Sequence, residues 1–207
     1  MRLTSTDFRG LVNRRFCQNL LPIPARSRFR LGQLLPDFQL PAVGQRAPIS
    51  LADYRGRQPV VLAFTRIFTE KQYCPFCYPH ILAMNEAYEQ FAALGAEVLL
   101  VTSTDLRQSK QVQQDLALAM PLLVDPSCQT FRTYGTGQAL GAPLSAQFVI
   151  DREGRLRFQH LFSFAHHNAS PERLLWALKK QALGLPDKSR RFNQTNGEGG
   201  IRTLDEV

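Results

Sequence analysis

Cysteine is scarce in this sequence, four in 207 residues, too few for the disulfide framework of a small secreted fold. No run of about 18 apolar residues occurs, so no membrane-spanning helix is expected. Internal repeats are missing. So are a glycine-rich phosphate loop, a G-x-S-x-G elbow and an H-E-x-x-H pair, the usual marks of phosphate-binding, serine-hydrolase and zinc-peptidase chemistry. Acidic residues are rare at the start, where Arg2, Arg9, Arg14, Arg15, Arg26, Arg28 and Arg30 stand against Asp7 alone. Most of the formal net charge of +8 sits in that arm. The remainder is near neutral and lacks the basic stripe that phosphate backbones require, so neither nucleic acid nor membrane is expected as a partner.

What is present is enough apolar sequence, 44% of residues, to bury one core. Three stretches are expected: a basic helical extension over residues 1–30, one domain over 31–184 and a loose tail over 185–207. The extension has the Arg-rich, acid-poor composition of a transit peptide. Its helical spacing of Phe8, Leu11, Val12, Arg15, Phe16, Asn19 and Leu20 instead favours an amphipathic helix packed on the domain. Thr6 or Asp7 would cap it, and Pro22 and Pro24 would end it.

From residue 31 strands and helices alternate. Residues 36–40, 59–64, 97–102 and 122–124 read as strands, the second and third as continuous apolar runs buried on both faces. Residues 75–94, 105–119 and 127–134 read as helices. Residues 147–150 and 155–162 flank Gly154 as a hairpin, and Ser170-Pro171-Glu172 opens a last helix. This order implies an α/β crossover sheet with an antiparallel edge pair.

Tyr73-Cys74-Pro75-Phe76-Cys77 carries the chemistry. It follows a buried strand and opens a helix, where two cysteines three apart share one face. Cys74 at the helix cap would meet free N–H groups and the positive end of the dipole, which favour the thiolate. The thiolate attacks, and Cys77 displaces the product as a disulfide. Two alternatives compete. The pair could be inert buried thiols. It could also bind metal with His80 and Cys128, although neither Cys17 nor Cys128 lies in the second ligand pair that a structural zinc site uses.

Several segments in order are similar to one family: Gly32 with Pro36-Asp37-Phe38-Gln39-Leu40; Leu51-Ala52-Asp53-Tyr54-Arg55-Gly56; Phe64-Thr65-Arg66 before the cysteine pair; Leu123-Val124-Asp125-Pro126; Phe131 to Gly135; and Phe148 to Gly154. Residues 31–178 thus resemble the alkyl hydroperoxide reductase/thiol-specific antioxidant family, the peroxiredoxin-like branch of the thioredoxin fold. The resemblance implies a thioredoxin-like fold: a central mixed sheet, parallel crossover strands, an antiparallel late hairpin and helices on both faces. It also implies a thiol-dependent antioxidant oxidoreductase that reduces hydroperoxides, with Cys74 as the peroxidatic-type cysteine and Cys77 as its partner. A thioredoxin-type donor would recycle the pair, and no bound cofactor or metal is expected, because the thiols carry the electrons. Family members are often dimeric, and a cytoplasmic setting is expected for a reactive thiol pair. A thioredoxin-like protein disulfide reductase and a non-enzymatic redox sensor are the rival readings.

The sequence departs from the family pattern where the peroxide is polarised. Ile67 and Lys71 stand where the usual Pro and Thr would precede Cys74, and Ser145 stands where an Arg would precede Phe148. Residues 68–72 look like an insertion. Arg66 is the expected substitute cation, with Arg132 and Lys71 behind it, and Thr69 the expected hydroxyl. Tyr73, Phe76 and Pro143 are expected at the substrate, Pro143 as a candidate cis-proline. Cys17, Cys128 and Trp176 are expected to pack in the interior, and His80 to lie on a helix surface.

Overall fold

The apolar runs at 60–64 and 97–101 lie side by side at the centre of a five-stranded sheet. The structure, a computed structural model, describes residues 10–163 and 165–182. Along the chain, Arg14–Gln18 is α1, Gln39–Leu40 and Ile49–Ser50 pair as β1 and β2, and Val60–Phe64 is β3. Ile67–Thr69 and Gln72–Tyr73 form a hairpin, β4–β5. Cys77–Glu86 is α2, Tyr88–Ala93 is α3, Glu97–Thr102 is β6, Leu106–Asp115 is α4, Leu122–Val124 is β7 and Gln129–Thr133 is α5. Gln138–Ala139 and Ala142–Pro143 form a second hairpin, β8–β9. Ala146–Ile150 (β10), Leu156–Leu161 (β11) and Pro171–Ala182 (α6) complete the order.

The sheet runs β11-β10-β3-β6-β7, with β3, β6 and β7 parallel and β10 antiparallel to both its neighbours. Every residue of β3 is buried, because both faces are covered. Val61 and Ala63 enter the core shared with Ile81 and Met84 of α2, Phe91 of α3, Val112 of α4 and Leu174 and Leu178 of α6. Val60, Leu62 and Phe64 enter the opposite core, shared with Leu35, Phe38, Leu40, Ile49 and Phe131. The mixed sheet and late hairpin therefore match the expected thioredoxin-like α/β class.

Several expected elements differ. Among the described residues the N-terminal helix is only α1, because Gly10 turns at φ +78° and Asn13 then caps at its side chain. It buries no residue, and Cys17 is exposed. The candidate caps Thr6 and Asp7 lie outside the described residues, as do Gly184 and the stretch 185–207. The helix expected over 75–94 is two helices, interrupted at Ala87, whose ψ of 0° departs from helical backbone. The helix after Asp105 stops at Asp115, and Ala117 follows in left-handed backbone at φ +46°. Trp176 is 56% exposed, with the Lys180 ammonium 5.0 Å from its ring centre, while Leu174, Leu175 and Leu178 take the core face. Both short hairpins were unforeseen. Among the described residues no helix is long and apolar enough to cross a membrane.

Candidate active site

The β4–β5 hairpin explains how Arg66 and Cys74, eight positions apart, come together. Ile67 pairs with Tyr73 in its register, so the next position out brings Cys74 back beside Arg66, and Cys74 N–H donates to the Arg66 carbonyl at 3.4 Å. The insertion seen at 68–72 is the outer part of this hairpin and leaves the pair intact. Cys74 then begins the helical turn. Its carbonyl accepts from the N–H groups of Cys77 and Tyr78, each at 3.0 Å. Formal helix geometry starts later than expected, with Phe76 rather than Cys74 in the cap position. Pro75 has no N–H to give, so the first free donors beyond Cys74 come from Phe76 and Cys77.

Both sulfurs are free thiols. Cys74 is pulled down to about 6, first by the Cys77 S–H that donates to it, then by the N–H groups of Phe76 and Cys77 and the Arg66 charge, all acting against desolvation. Cys77 moves the opposite way. Its proton is held between the two sulfurs and burial disfavours its anion, though the Arg66 N–H and the Ser145 hydroxyl also face it. The pair is therefore polarised as one thiolate and one thiol before any reactant arrives.

Arg66 is a buried cation, not a solvated one. Its guanidinium faces Cys74, donates to the carbonyls of Ala139 and Leu140 in the β8–β9 turn, and lies 4.7 Å from the Phe68 ring centre. Its Nε has no partner. Thr69 has a different place. Its hydroxyl accepts Lys71 N–H at 3.2 Å and shapes the β4–β5 turn. Lys71 sits in that turn, and Arg132 donates to the Ser127 carbonyl at 2.7 Å. Tyr73 is core, edge-on to Tyr78 at 5.4 Å, with its hydroxyl buried and unpartnered. Pro143 is buried in β9 and follows a trans bond, so the cis-proline expectation fails.

Phe76 is 51% exposed and stacks on His167, ring centres 3.7 Å apart. The loop that brings His167 there is tied to the site by bonds the sequence did not announce. Asn168 Nδ2 donates to the Phe76 carbonyl at 3.0 Å, Gln147 Nε2 donates to Asn168 Oδ1 at 2.9 Å, and Ser145 Oγ donates to the His167 carbonyl at 3.1 Å. His80, expected on the surface, is buried. Its Nε2 lies 2.9 Å from the Ala169 carbonyl, and burial lowers its pKa to about 4. Cys128 belongs to the core on the other face of the sheet, where burial pushes its thiol up to about 11. Of the residues missed, only Ser145 left a signal: it stands where the family pattern has a charge.

One expectation is met only in part. A reactive sulfur at a helix start should meet solvent, yet Cys74 is only 3% exposed. The same donors that hold its anion also enclose it.

Comparison with known proteins gives the family. Peroxiredoxin tpx1 of Schizosaccharomyces pombe is 34% identical over 139 residues, covering 62% of this chain and 69% of that protein. Thioredoxin peroxidase of Echinococcus granulosus is 28% identical over 138 residues, covering 61% and 68%. Among solved structures, peroxidoxin BcpB from Mycobacterium tuberculosis superposes with a TM-score of 0.61 at 21% identity, covering 73% of this chain and 97% of its own, a likeness of fold. The AhpC/TSA family model matches residues 31–159, and the chain belongs to that family.

Proposed function

We propose that the protein is a thiol peroxidase in which Cys74 attacks a hydroperoxide and Cys77 resolves the product. One observation carries this: a sulfhydryl, two backbone N–H groups and a buried guanidinium all face the Cys74 sulfur and favour its anion. In the first step the Cys74 thiolate attacks one peroxide oxygen. An S–O bond forms, the O–O bond breaks, and the departing oxygen takes a proton and leaves as alcohol or water. Cys74 sulfenic acid no longer accepts the Cys77 proton, so Cys77 can ionise, with the Arg66 N–H and Ser145 hydroxyl facing it. Its sulfur attacks the sulfenic sulfur, an S–S bond forms, the S–O bond breaks, and hydroxide leaves as water with the Cys77 proton. Arg66 supplies the positive charge that the family pattern has in the position of Ser145.

Cys74 is 3% exposed in the reduced chain, which supports a small hydroperoxide as the oxidant, since a protein disulfide would need the turn at 74–77 to open first. Reduction of the Cys74–Cys77 disulfide then requires the turn at 74–77 to open toward a dithiol. Likeness to a protein named thioredoxin peroxidase supports a thioredoxin-type donor, and a cytoplasmic setting would keep such thiols reduced.

Stopped-flow mixing of reduced protein with hydrogen peroxide, followed by mass mapping, tests the assignment. The expected product is a Cys74–Cys77 disulfide. Cys74→Ser should abolish peroxide consumption, and Cys77→Ser should stop at Cys74 sulfenic acid. Turnover retained in Cys74→Ser refutes the proposal, and insulin disulfide reduction without peroxide consumption would favour a disulfide reductase.

A further inference from the structure

The chain between residues 13 and 26 lies across both hairpins beside the cysteine pair. The Asn13 side chain accepts Phe16 N–H at 2.9 Å and starts α1, which aims Arg15 inward. The Arg15 guanidinium donates to the Ile67 carbonyl at 3.2 Å, to the Ser103 hydroxyl at 2.8 Å and to the Phe68 carbonyl. Ile67 and Phe68 are the two residues that follow Arg66. Further along, the Phe16 ring covers Gly141 so closely that a Cβ there would lie 2.0 Å from it. Leu140 N–H donates to the Leu20 carbonyl at 3.2 Å, and Gly141 N–H to the Asn19 carbonyl at 3.0 Å. Gln138 exchanges two backbone bonds with Ile23, each 2.8 Å, and its side-chain amide reaches the Gln18 and Leu21 carbonyls.

The turn held in this way is strained. Leu140 and Gly141 join β8 to β9 at φ +50° and +85°, the two-residue turn that calls for left-handed backbone at both central positions. Leucine tolerates that conformation poorly. Its side chain is 68% exposed and gains little burial in return. Yet this turn presents the two carbonyls that grip the Arg66 guanidinium. Arg66 is thus fixed from two sides, through the backbone that follows it and through the turn that faces it, and one N-terminal segment holds both.

We propose that residues 13–26 are a strap that positions the Arg66 guanidinium against Cys74, with Arg15 and Phe16 as its positioning residues. The inference rests on Cys74 being the reacting sulfur. When the strap loosens, the Leu140 turn relaxes, its carbonyls withdraw from Arg66, and the cation is no longer aimed at the sulfur.

The test is the pH dependence of Cys74 alkylation by iodoacetamide, mapped by mass in the reduced full chain. Arg66→Ala should raise the midpoint toward the free-thiol range. Arg15→Ala and Phe16→Ala should each raise it in the same direction, and Arg15→Ala should add nothing in an Arg66→Ala background. A change that merely weakens the fold would lower the melting temperature without moving the midpoint. Should Arg15→Ala not fold, Phe16→Ala alone and with Arg66→Ala decides in the same way. Three results overturn the strap: unmoved midpoints in the folded strap variants beside a raised one in Arg66→Ala, an equal rise when Arg66 is already absent, or no rise in Arg66→Ala itself. Peroxide consumption by the unaltered chain, measured alongside, separates failure of the strap from failure of the peroxidase assignment.

Discussion

A thiol that donates to its neighbour's sulfur sets the pH range in which Cys74 can react. Cys74 lies near 6, below the ordinary thiol range, because its anion collects donors. Only the anion is nucleophilic. Peroxide consumption should therefore rise as pH increases through about 6 and level off near neutrality, where an ordinary thiol would still be mostly protonated. The Cys77 S–H is the largest contributor to the lowering. A hydrogen bond to a charged acceptor is worth about 1.5–3 kcal/mol, so Cys77→Ala should move the alkylation midpoint of Cys74 up by roughly one to two pH units. An unchanged midpoint would assign the anion to the backbone and Arg66 instead. The sequence pointed to Cys74 and Cys77 because a CxxC opening a helix has few other uses, and to Arg66 as the nearest preceding cation; the structure brings the three together. Thr69 was misread because a threonine that shapes a turn and one that faces a ligand look the same without the third dimension. Ser145 could be found only as a residue standing where another was expected.

At the scale of elements, long apolar runs were legible and the strands of the two short hairpins were not. β3 and β6 have enough consecutive buried residues to reveal themselves, whereas β4–β5 and β8–β9 are too short to show a period. They are held by Arg15, Arg66 and the chain at 18–23, contacts made from far along the sequence. α2 shows the same limit. Its amphipathic spacing was clear, but His80 on it was placed at the surface, because its partner is a carbonyl 89 positions away. That contact has a measurable consequence. Folded His80 stays neutral down to about pH 4, while an unfolded histidine takes up its proton near 6.5. Between those values the unfolded chain binds more protons, so stability falls as pH is lowered from about 6.5 to 4. The loss attributable to His80 is about 2–3 kcal/mol. His80→Gln keeps an amide donor for Ala169 but cannot titrate. In urea unfolding at pH 6.5 and 4.5 it should lose less stability than the unaltered chain. Equal losses in the two proteins would show that acid acts elsewhere.

For the whole molecule, the core on the sheet face opposite α2 holds a cluster of aromatic rings to which neither Cys74 nor Cys77 belongs. Phe64 lies on β3 two positions before Arg66, but its side chain enters the core opposite α2. Its ring lies 4.9 Å from Phe131, 5.3 Å from Tyr134 and 5.9 Å from Phe148, centre to centre. Phe29 and Phe38 extend the group through Tyr134, whose hydroxyl donates to the Pro36 carbonyl at 2.7 Å. This cluster ties the N-terminal stretch to the sheet, and of the cysteines only Cys128 shares its core. Phe64→Ala should leave a cavity among rigid rings that cannot collapse into it, costing about 3–5 kcal/mol. That is a large share of the roughly 5–15 kcal/mol that stabilises a domain. Urea denaturation measures the cost. Under conditions where the variant remains folded, the alkylation midpoint of Cys74 should stay near 6, because none of the donors to its sulfur belongs to this cluster. A midpoint that rose together with the loss of stability would mean that the strand transmits core packing to Arg66, and that the two faces do not act separately.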